Sequence, residues 1–319
     1  MIQEKDTAVT GKSSWKGVSA VMLLSLIYLL YSYFSIGIRN DQLMLVAMVN
    51  VTYVLNGVWR RFILAFSIFI VYWILFDSMK LFPNYHFSTV DIEGLYNFEK
   101  SLFGFQSNGQ LITPNEYFIS NHSTLLDIIG AIFYLSWVPA PLALSFYLFQ
   151  KYPAQFLRFS LAFFLTNIIG FIIYYLYPAA PPWYVQLHGF ELDESTKSYA
   201  AGLIRFDTWS GTKLFQDMYA KGSNVFAAMP SLHSAYPVLA FYYSAKFGHK
   251  KLSLIFLLFV LGIWFSAVYL THHYILDVIA GLACAVLSIV LFEKVLLKSP
   301  RIRKWIAEYE KLISKRQRV

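Results

Sequence analysis

Long runs of apolar residues alternate with short polar segments along most of the chain. An α-helix rises about 1.5 Å per residue, so roughly 20 apolar residues are needed to cross the hydrocarbon core of a membrane. Runs near that length predict membrane-spanning helices, and we count eight of them. The second run is the weakest, because it is short and contains Asn50 and Asn56. The predicted spans are residues 18–38, 43–58, 62–79, 125–149, 159–177, 231–247, 252–270 and 275–297.

Composition agrees with a membrane protein and limits the class of partner. Of the 319 residues, 57% are hydrophobic and 14% are charged, which is more apolar surface than a soluble protein of this length can bury. The sequence therefore predicts an all-α, polytopic integral membrane protein with about eight transmembrane helices. The net charge of +8 is concentrated between the apolar runs, so we expect a lipid bilayer and no nucleic acid as partner. The single cysteine, Cys284, excludes an intramolecular disulfide.

The cations also predict the direction of each crossing. With eight spans, the cationic segments all fall on one side, which the positive-inside rule identifies as the cytoplasm. Both termini are then cytoplasmic, and the loops of residues 80–124 and 178–230 face the opposite side. A short basic tail without a soluble appendage favours a bacterial inner membrane. The cations used are Lys12, Lys16, Arg60, Arg61, Lys151, Arg158, Lys246, Lys250, Lys251 and those from Lys298 onward.

The chain is expected to divide at residue 80. Residues 1–80 hold three N-terminal spans, and residues 81–319 form a catalytic transmembrane domain with extracytoplasmic loops and a basic tail. Within the first loop, residues 91–103 have the spacing of an interfacial amphipathic helix. The tail from residue 298 alternates basic and apolar residues, which favours an anchor on the cytoplasmic side.

Two polar clusters stand at the ends of apolar runs, AAMPSLHSAY at residues 227–236 and YLTHHYILDV at residues 269–278. The eight-span topology places both on the extracytoplasmic side. His273 and Asp277 are four residues apart, so on a helix they lie on one face. A carboxylate that accepts a hydrogen bond from one imidazole nitrogen makes the other nitrogen a better nucleophile.

The first cluster has the composition of an anion site. Proline suits the first turn of a helix, and the free N–H groups there bind phosphate. Ser231 adds a hydroxyl donor, and it also suits an N-cap, which is compatible with that role. His233 suits a general acid that protonates a leaving alkoxide. These residues predict phosphoryl transfer without a metal or cofactor, since the carboxylate is already paired with His273 and no cysteine is near.

At these residues the sequence resembles the membrane type 2 phosphatidic acid phosphatase superfamily. The family's signatures are Pro-Ser-Gly-His and Ser-Arg, five residues, His, three residues, Asp. Residues 230–233 read PSLH, and residues 266–277 read SAVYLTHHYILD, with His273 and Asp277 at the matching positions. Ala267 replaces the arginine of the second signature.

Together with these clusters, YLYPAAPPWY at residues 175–184 resembles the inositol phosphorylceramide synthase branch of that superfamily. The resemblance implies a six-helix catalytic core and the transfer of an inositol-phosphate headgroup from phosphatidylinositol to ceramide, releasing diacylglycerol. It implies that His273 forms a phosphohistidine, that His233 exchanges protons with the two lipid hydroxyls, and that Asp277 orients His273. The expected partners are thus a phospholipid donor and a ceramide-like acceptor.

The missing arginine leaves the source of phosphate charge compensation open. A further signature of the family is Lys, six residues, Arg-Pro. Lys151 and Arg158 have that spacing, with Phe159 in place of the proline, but one crossing separates them from the active side. Arg205, Lys213 and Lys221, in the second long loop, are the candidate phosphate-binding cations. A phosphodiester carries one charge and needs fewer cations than a dianionic monoester, which favours a transferase.

Further residues are candidates to line the substrate. Trp183 and Tyr184 suit either a lipid entrance or an interfacial aromatic belt, and the belt is the preferred interpretation. His272 lies beside the predicted nucleophile, about 100° away on a helix, and is not expected to share its role. The candidates to bind headgroup hydroxyls are His122, Asn115, Glu116 and Asp207.

Two other functions stay open. The first is a lipid phosphate or polyprenyl diphosphate phosphatase, in which water takes the phosphoryl group from the histidine. The second is a transporter or channel, which is disfavoured because no pair of Gly/Pro-broken helices recurs in matching halves. In a transporter, replacement of His273 would leave transport unchanged.

Overall fold

A computed structural model describes residues 15–35, 37–55, 57–220, 222 and 224–314. Nearly all elements of this part are helices, in agreement with the predicted all-α class. Lys12, Asn56 and Lys221, which the sequence analysis uses, lie outside the described residues. The α-helices are α1 (Trp15–Ser35), α2 (Asn40–Val54), α3 (Gly57–Ser78), α4 (Glu93–Phe103), α5 (Pro114–Ser120), α6 (Thr124–Leu135), α7 (Pro139–Lys151), α8 (Pro153–Leu176), α9 (Pro182–His188), α10 (Ile204–Ser210), α11 (Leu214–Tyr219), α12 (Leu232–Lys246), α13 (Lys250–Tyr269), α14 (Ile275–Val290) and α15 (Pro300–Ile313).

Short elements complete the chain. The strands β1 (Phe105–Ser107) and β2 (Gln110–Ile112) form an antiparallel hairpin closed by Asn108 and Gly109. Both turn residues have positive φ, 51° and 79°, as a type I′ hairpin turn requires. The other short helical segments are Met79–Leu81, Asn84–His86, Ala201–Leu203, Leu291–Val295 and Leu296–Lys298.

Six segments of the described chain have the length and composition of a membrane span. Five are single: α1, Gly57–Leu81, α8, α13 and Ile275–Lys298. The sixth is α6 with α7, which are bent by 43° relative to each other within the single span predicted at residues 125–149. Pro139 opens α7 at this bend, because proline lacks the N–H that would continue the preceding helix. The chain is therefore an integral membrane protein, but a count of eight spans is not confirmed.

The two remaining predicted spans are too short. Both α2 and α12 have 15 residues, which corresponds to about 22 Å of rise where about 30 Å is needed. Most residues of α12 are buried, and the helix packs against α7, α8, α13 and α14. Its apolar sequence reflects burial within protein, since a helix that is apolar all round is covered on every side.

The described chain forms two compact units. One consists of the N-terminal part up to Val71 and the tail from Lys304. In this unit, the Asn50 side chain donates a hydrogen bond to Ser25 Oγ at 2.7 Å, which joins α2 to α1. Tyr309 donates to the Leu64 carbonyl at 2.7 Å, so the tail helix α15 is bound to α3. The predicted division at residue 80 stays a prediction.

The second unit, Tyr72–Arg303, contains both polar clusters. Its helices α8, α12, α13 and α14 pack together, with α6 against α13 and α7 against α8. Gly281 lets α14 approach the start of α12, because a Cβ there would lie 2.2 Å from the Ser231 carbonyl oxygen. The amide of Ser231 donates to the Asp277 carbonyl at 2.9 Å. These contacts place the starts of α12 and α14 side by side.

Backbone hydrogen bonds join the two long loops to each other and to the turn between α13 and α14. Ala179 N–H donates to the Phe226 carbonyl at 3.0 Å, and Asp91 N–H donates to the Pro178 carbonyl at 2.8 Å. Trp183 N–H donates to the Thr271 carbonyl at 3.1 Å. Both loops thus lie at the end of the helices that carries the polar clusters.

Candidate active site

The structure brings the two polar clusters into direct contact. His233 Nδ1 lies 3.0 Å from His273 Nε2, and His273 Nδ1 lies 3.4 Å from a carboxylate oxygen of Asp277. Asp277 is fully buried and His273 is 5% exposed, whereas His233 is only partly buried. The three side chains form a line from a buried carboxylate to a more accessible imidazole, which suits proton transfer at the accessible end.

The local structure of the pair differs from the expectation of one helical face. Helix α14 begins at Ile275, so His273 lies before the helix. Asp277 Oδ2 accepts a hydrogen bond from Tyr274 N–H at 2.8 Å. Asp277 therefore caps the helix while its carboxylate approaches His273. The His273–Asp277 pair thus joins a residue before the helix to a residue in its first turn.

The imidazole of His273 is neutral at ordinary pH. Burial lowers its pKa to about 4, with a hydrogen bond to Ala228 opposing the shift. The uncharged ring keeps a free electron pair on one nitrogen, which a nucleophile requires. Asp277 approaches Nδ1 at 3.4 Å and His233 faces Nε2, so a tautomer with its proton on Nδ1 would hold the free electron pair on Nε2.

The backbone of the turn that carries His273 is also fixed. Asn115 Nδ2, on α5, donates to the carbonyls of His273 at 3.0 Å and Val268 at 2.9 Å. His273 N–H donates to the Ala267 carbonyl at 3.0 Å. Asn115 is buried and both hydrogen bonds of its NH₂ group go to this turn, which corrects its assignment to headgroup hydroxyls.

Glu99 on α4 is a site residue that the sequence analysis missed. Its two carboxylate oxygens accept from Ile275 N–H at 3.0 Å and Leu276 N–H at 3.1 Å, and the side chain is fully buried. Burial raises its pKa to about 7. The sequence pattern that could have identified Glu99 is its position four residues after Leu95. This spacing puts a carboxylate on the apolar face of the amphipathic helix.

Ser231 is the N-cap of α12. Its Oγ accepts from Ser234 N–H at 3.4 Å and from Ser234 Oγ at 3.0 Å. Helix α12 begins at Leu232, so the preceding proline lies outside the first turn where it was expected. His233 is the second residue of α12, as predicted, and its Nδ1 also lies 3.4 Å from Tyr134 OH.

Among the candidate cations, Arg205 lies in a network of polar side chains. Its Nε donates to Asp127 Oδ1 at 2.7 Å, and Tyr269 OH donates to the same oxygen at 2.8 Å. His122 Nδ1 lies 3.6 Å from Asp127 Oδ2. Nη2 of Arg205 is buried and has no hydrogen-bond partner among the described residues. Lys213 is exposed just before α11.

The predicted substrate-lining residues are largely in the core. Trp183 and Tyr184 are 5% and 0% exposed and pack with Phe226, so they form neither an entrance nor an interfacial belt. The Pro-rich loop that carries them folds inward and buries its aromatic rings. His272 is buried between the rings of Tyr134 and Tyr219, with centroids 4.8 Å away on each side. It does not line an open surface.

Other polar candidates have structural contacts. Asp207 is buried and its carboxylate accepts from the N–H groups of Phe215 and Gln216, which caps α11. Glu116 accepts from Thr113 N–H at 2.6 Å. Within the described ranges, no group of three or more His, Cys, Asp or Glu side chains has a metal-binding arrangement.

Comparison with known proteins gives a consistent set of relatives. A family model described as the PAP2 superfamily matches residues 103–291. The chain is 41% identical over 303 residues to phosphoinositol dihydroceramide synthase of Bacteroides thetaiotaomicron, which covers 94% of this chain and 99% of that protein.

Fungal relatives cover less. The catalytic subunit of inositol phosphorylceramide synthase from Schizosaccharomyces pombe is 31% identical over 261 residues, 77% of this chain and 58% of that protein. Inositol phosphorylceramide synthase of Candida albicans is 33% identical over 184 residues, 54% of this chain and 38% of that protein. No solved structure matches the chain.

Proposed function

The chain belongs to the PAP2 superfamily, and on that premise we propose that it transfers an inositol-phosphate headgroup from phosphatidylinositol to a ceramide-type acceptor, releasing diacylglycerol. The observation that carries the chemistry is the contact of His273 Nε2 with His233 Nδ1 at 3.0 Å, with Asp277 behind His273. The substrate class is supported by the bacterial relative that matches nearly the whole chain and is named phosphoinositol dihydroceramide synthase.

In the first step, Nε2 of the neutral His273 attacks the phosphorus of the donor lipid. An N–P bond forms while the P–O bond to diacylglycerol breaks, and protonated His233 gives its proton to the departing oxygen. Burial and the neighbouring His273 lower the pKa of His233 in the free site, so the negative phosphate of the bound donor must favour its protonated form. The products are diacylglycerol and a phosphohistidine that carries the inositol headgroup. Asp277 stabilises the positive charge that develops on the imidazole of His273.

In the second step, the primary hydroxyl of the acceptor attacks the same phosphorus. His233, now neutral, accepts the hydroxyl proton as the new P–O bond forms and the N–P bond to His273 breaks. His273 returns to its neutral state, and His233 is again protonated for the next donor. Because the donor product leaves before the acceptor reacts, this route predicts ping-pong kinetics.

The negative phosphate is proposed to bind at the start of α12 and to Arg205. Lys213 and Lys221, from the same loop as Arg205, are proposed as further cations that compensate its charge. Ala267, at the position of the family arginine, is fully buried in an apolar cluster that also contains Leu203, next to the start of α10. Arg205 on α10 thus offers a guanidinium beside the place where the signature arginine is missing. Asp127 already offsets part of its charge, which suits a singly charged phosphodiester.

We place the active site on the extracytoplasmic face of a bacterial inner membrane, with both termini cytoplasmic. The distribution of cations between the apolar runs supports the orientation. The bacterial origin of the relative that covers 94% of the chain supports the compartment.

The test is a transfer assay with the full chain in detergent micelles and phosphatidylinositol labelled in the headgroup, with and without ceramide. We expect the label to move to a new lipid only when ceramide is present. His273→Ala is expected to lower the rate by about 1,000-fold or more, since the nucleophile is lost. His188→Ala, which removes an exposed histidine at the end of α9, is the control and should keep the wild-type rate.

Each contrary result removes a defined part of the proposal. Release of water-soluble inositol phosphate at the same rate without ceramide would make the protein a hydrolase. No turnover of this donor would contradict the substrate class. Transfer that survives the loss of His273 would contradict the phosphohistidine mechanism.

A further inference from the structure

Helix α4 carries a buried carboxylate to the start of α14. Glu99 is 0% exposed, and its two oxygens accept hydrogen bonds from the amides of Ile275 and Leu276 at 3.0 and 3.1 Å. The first four N–H groups of a helix have no partner within the helix. Glu99 therefore satisfies two of the unpartnered donors of α14 from a segment more than 170 residues away in the sequence.

The remaining contacts connect this cap to the nucleophile. Tyr274 N–H donates to Asp277 Oδ2 at 2.8 Å, and the same oxygen lies 3.4 Å from His273 Nδ1. Two carboxylates, Glu99 and Asp277, thus share the donors at one helix start. If the amides of Ile275 and Leu276 lost their acceptor, the first turn would fray, and Asp277 would lose its fixed distance to His273.

Helix α4 is itself fixed in the position this requires. Asp91 Oδ1 accepts from Gly94 N–H at 2.8 Å and from Leu95 N–H at 3.2 Å, which caps α4. Leu95 is buried in one cluster with Ala179 and Tyr274, the residue next to His273. Packing and capping together direct the Glu99 side chain to the start of α14.

We propose that Glu99 is a positioning residue for the reaction, which fixes the first turn of α14 and thereby the distance between Asp277 and His273. The inference rests on the proposed function, because it assigns Glu99 a part in the same transfer. Glu99 does not touch the reacting atoms and acts through α14.

The charge of Glu99 changes in the neutral range. Burial raises its pKa to about 7, against the two backbone N–H donors, and the charge of Asp277 adds to the shift. Two titratable groups at the start of α14 interact with Glu99, namely Asp277 and Tyr274. Tyr274 interacts in turn with Tyr96 and Glu116. The ionised carboxylate offers two strong acceptor oxygens, whereas the protonated carboxyl offers one strong and one weak acceptor. Transfer activity is therefore expected to rise as pH increases through about 7.

The test uses Glu99→Gln in the full chain in detergent micelles. The amide has the same shape but presents an NH₂ group to one of the two backbone donors. We expect amide hydrogen exchange at Ile275 and Leu276 to become about tenfold faster and kcat for transfer to fall about tenfold, with KM nearly unchanged, on the scale of one charged hydrogen bond. The rise of activity near pH 7 should be absent in the variant.

Two matched controls separate positioning from a general loss of structure. Asp207→Asn removes a buried carboxylate cap from α11, and Glu93→Gln removes an exposed carboxylate from α4 itself. Neither should alter exchange at the start of α14 or the pH dependence of transfer. An equal change of the pH profile in Asp207→Asn would overturn the proposal.

The result can be distinguished from failure of the proposed function. The exchange measurement needs no substrate, so unchanged exchange at Ile275 and Leu276 in Glu99→Gln overturns the cap whether or not the wild type transfers a headgroup. If the wild type transfers the headgroup and the variant keeps its kcat and its pH profile, the function stands and the inference about Glu99 is wrong.

Discussion

The starts of α12 and α14 lie side by side but are capped by different chemistry. The cap of α12 is the neutral hydroxyl of Ser231, whereas α14 is capped by the carboxylates of Glu99 and Asp277. The N-terminus of a helix carries a partial positive charge that stabilises anions. At α14 the carboxylates of the protein itself interact with that partial charge. At α12 the cap is neutral, so the partial charge can stabilise a bound anion.

This difference assigns separate tasks to the two helices. An anionic phosphate is repelled from a helix start that holds two carboxylates and is attracted to one with a hydroxyl cap. Helix α14 is therefore expected to position His273, the proposed nucleophile, and α12 is expected to bind the phosphate beside His233. The first two predictions below change the charge at one helix start to resemble that at the other.

The largest effect is expected for Asp277→Asn, which removes the carboxylate at the start of α14 that we propose orients His273. The amide can present its N–H to Nδ1 of His273 and so select the wrong tautomer, with the proton on Nε2. We expect kcat to fall by roughly 1,000- to 10,000-fold, as for other carboxylate–histidine pairs. Phosphohistidine formation measured in a single turnover with labelled donor checks this.

The control for that variant is the thermal unfolding midpoint, because Asp277 also caps α14. Asparagine remains a good capping residue, so the midpoint should change little. A fall in activity that follows the loss of folded protein would remove the orienting role of Asp277.

The second prediction adds a charge to the start of α12. Ser231→Asp and Ser231→Asn have equal shape and both cap helices well, so their difference isolates the charge. We expect the aspartate variant to transfer the headgroup roughly 100-fold more slowly than the asparagine variant, because a carboxylate repels the phosphate at short range. Parallel rate measurements on the two variants check this.

Salt provides an independent measure of the same repulsion. Buried or partly buried charges are screened only weakly, so the ratio of the two rates should persist at high ionic strength. Equal rates for the two variants would mean that the phosphate does not lie at the start of α12.

The apolar pattern predicts six membrane spans of the described chain with boundaries within about six residues but fails at α2 and α12. Composition alone does not distinguish residues that face lipid from residues buried in protein, and Ala235, Leu239 and Ala240 of α12 are of the second kind. The hairpin at Asn108 and Gly109 was also missed, although an Asn-Gly pair is a strong local turn signal. Local chemistry fixes such a turn, whereas burial depends on the complete packing.

The site shows the same limit. His233, His273 and Asp277 could be found because their chemistry appears in two short segments. The roles of Glu99 and Asn115 depend on contacts across more than 150 residues, which no local pattern encodes. Trp183 was misplaced for a related reason, since an aromatic residue in a proline-rich loop has the same local sequence at an interface or in a core.

The third prediction concerns the cation that is assigned to the phosphate beside α12. Arg205→Lys keeps a positive charge next to Asp127 but loses the planar fork and the unpartnered Nη2. We expect KM for the donor lipid to rise about tenfold, the scale of one charge-assisted hydrogen bond, with a smaller change in kcat. Initial rates over a range of donor mole fractions in micelles check this.

Lys213→Gln tests the other described cation proposed in this loop, which is exposed and is therefore expected to contribute less than Arg205. Its KM should stay within about twofold of wild type, because exposed charges interact weakly through water. A larger effect at Lys213 than at Arg205 would transfer the phosphate-binding role from α10 to the loop before α11.

The smallest effect is expected for a residue that contacts neither helix start. Tyr309 on α15 donates to the Leu64 carbonyl at 2.7 Å and lies 3.0 Å from Ser67 Oγ, both on α3. Tyr309→Phe removes only the hydroxyl and should lower the free energy of unfolding by about 1 kcal/mol, the usual contribution of one such hydrogen bond. Transfer activity at 25 °C should be unchanged, because the caps of α12 and α14 remain intact. The unfolding midpoint and the initial rate of the variant, compared with wild type, check both statements. A fall in kcat without a change in the midpoint would show that the tail helix influences the reaction by a route other than the stability of the fold.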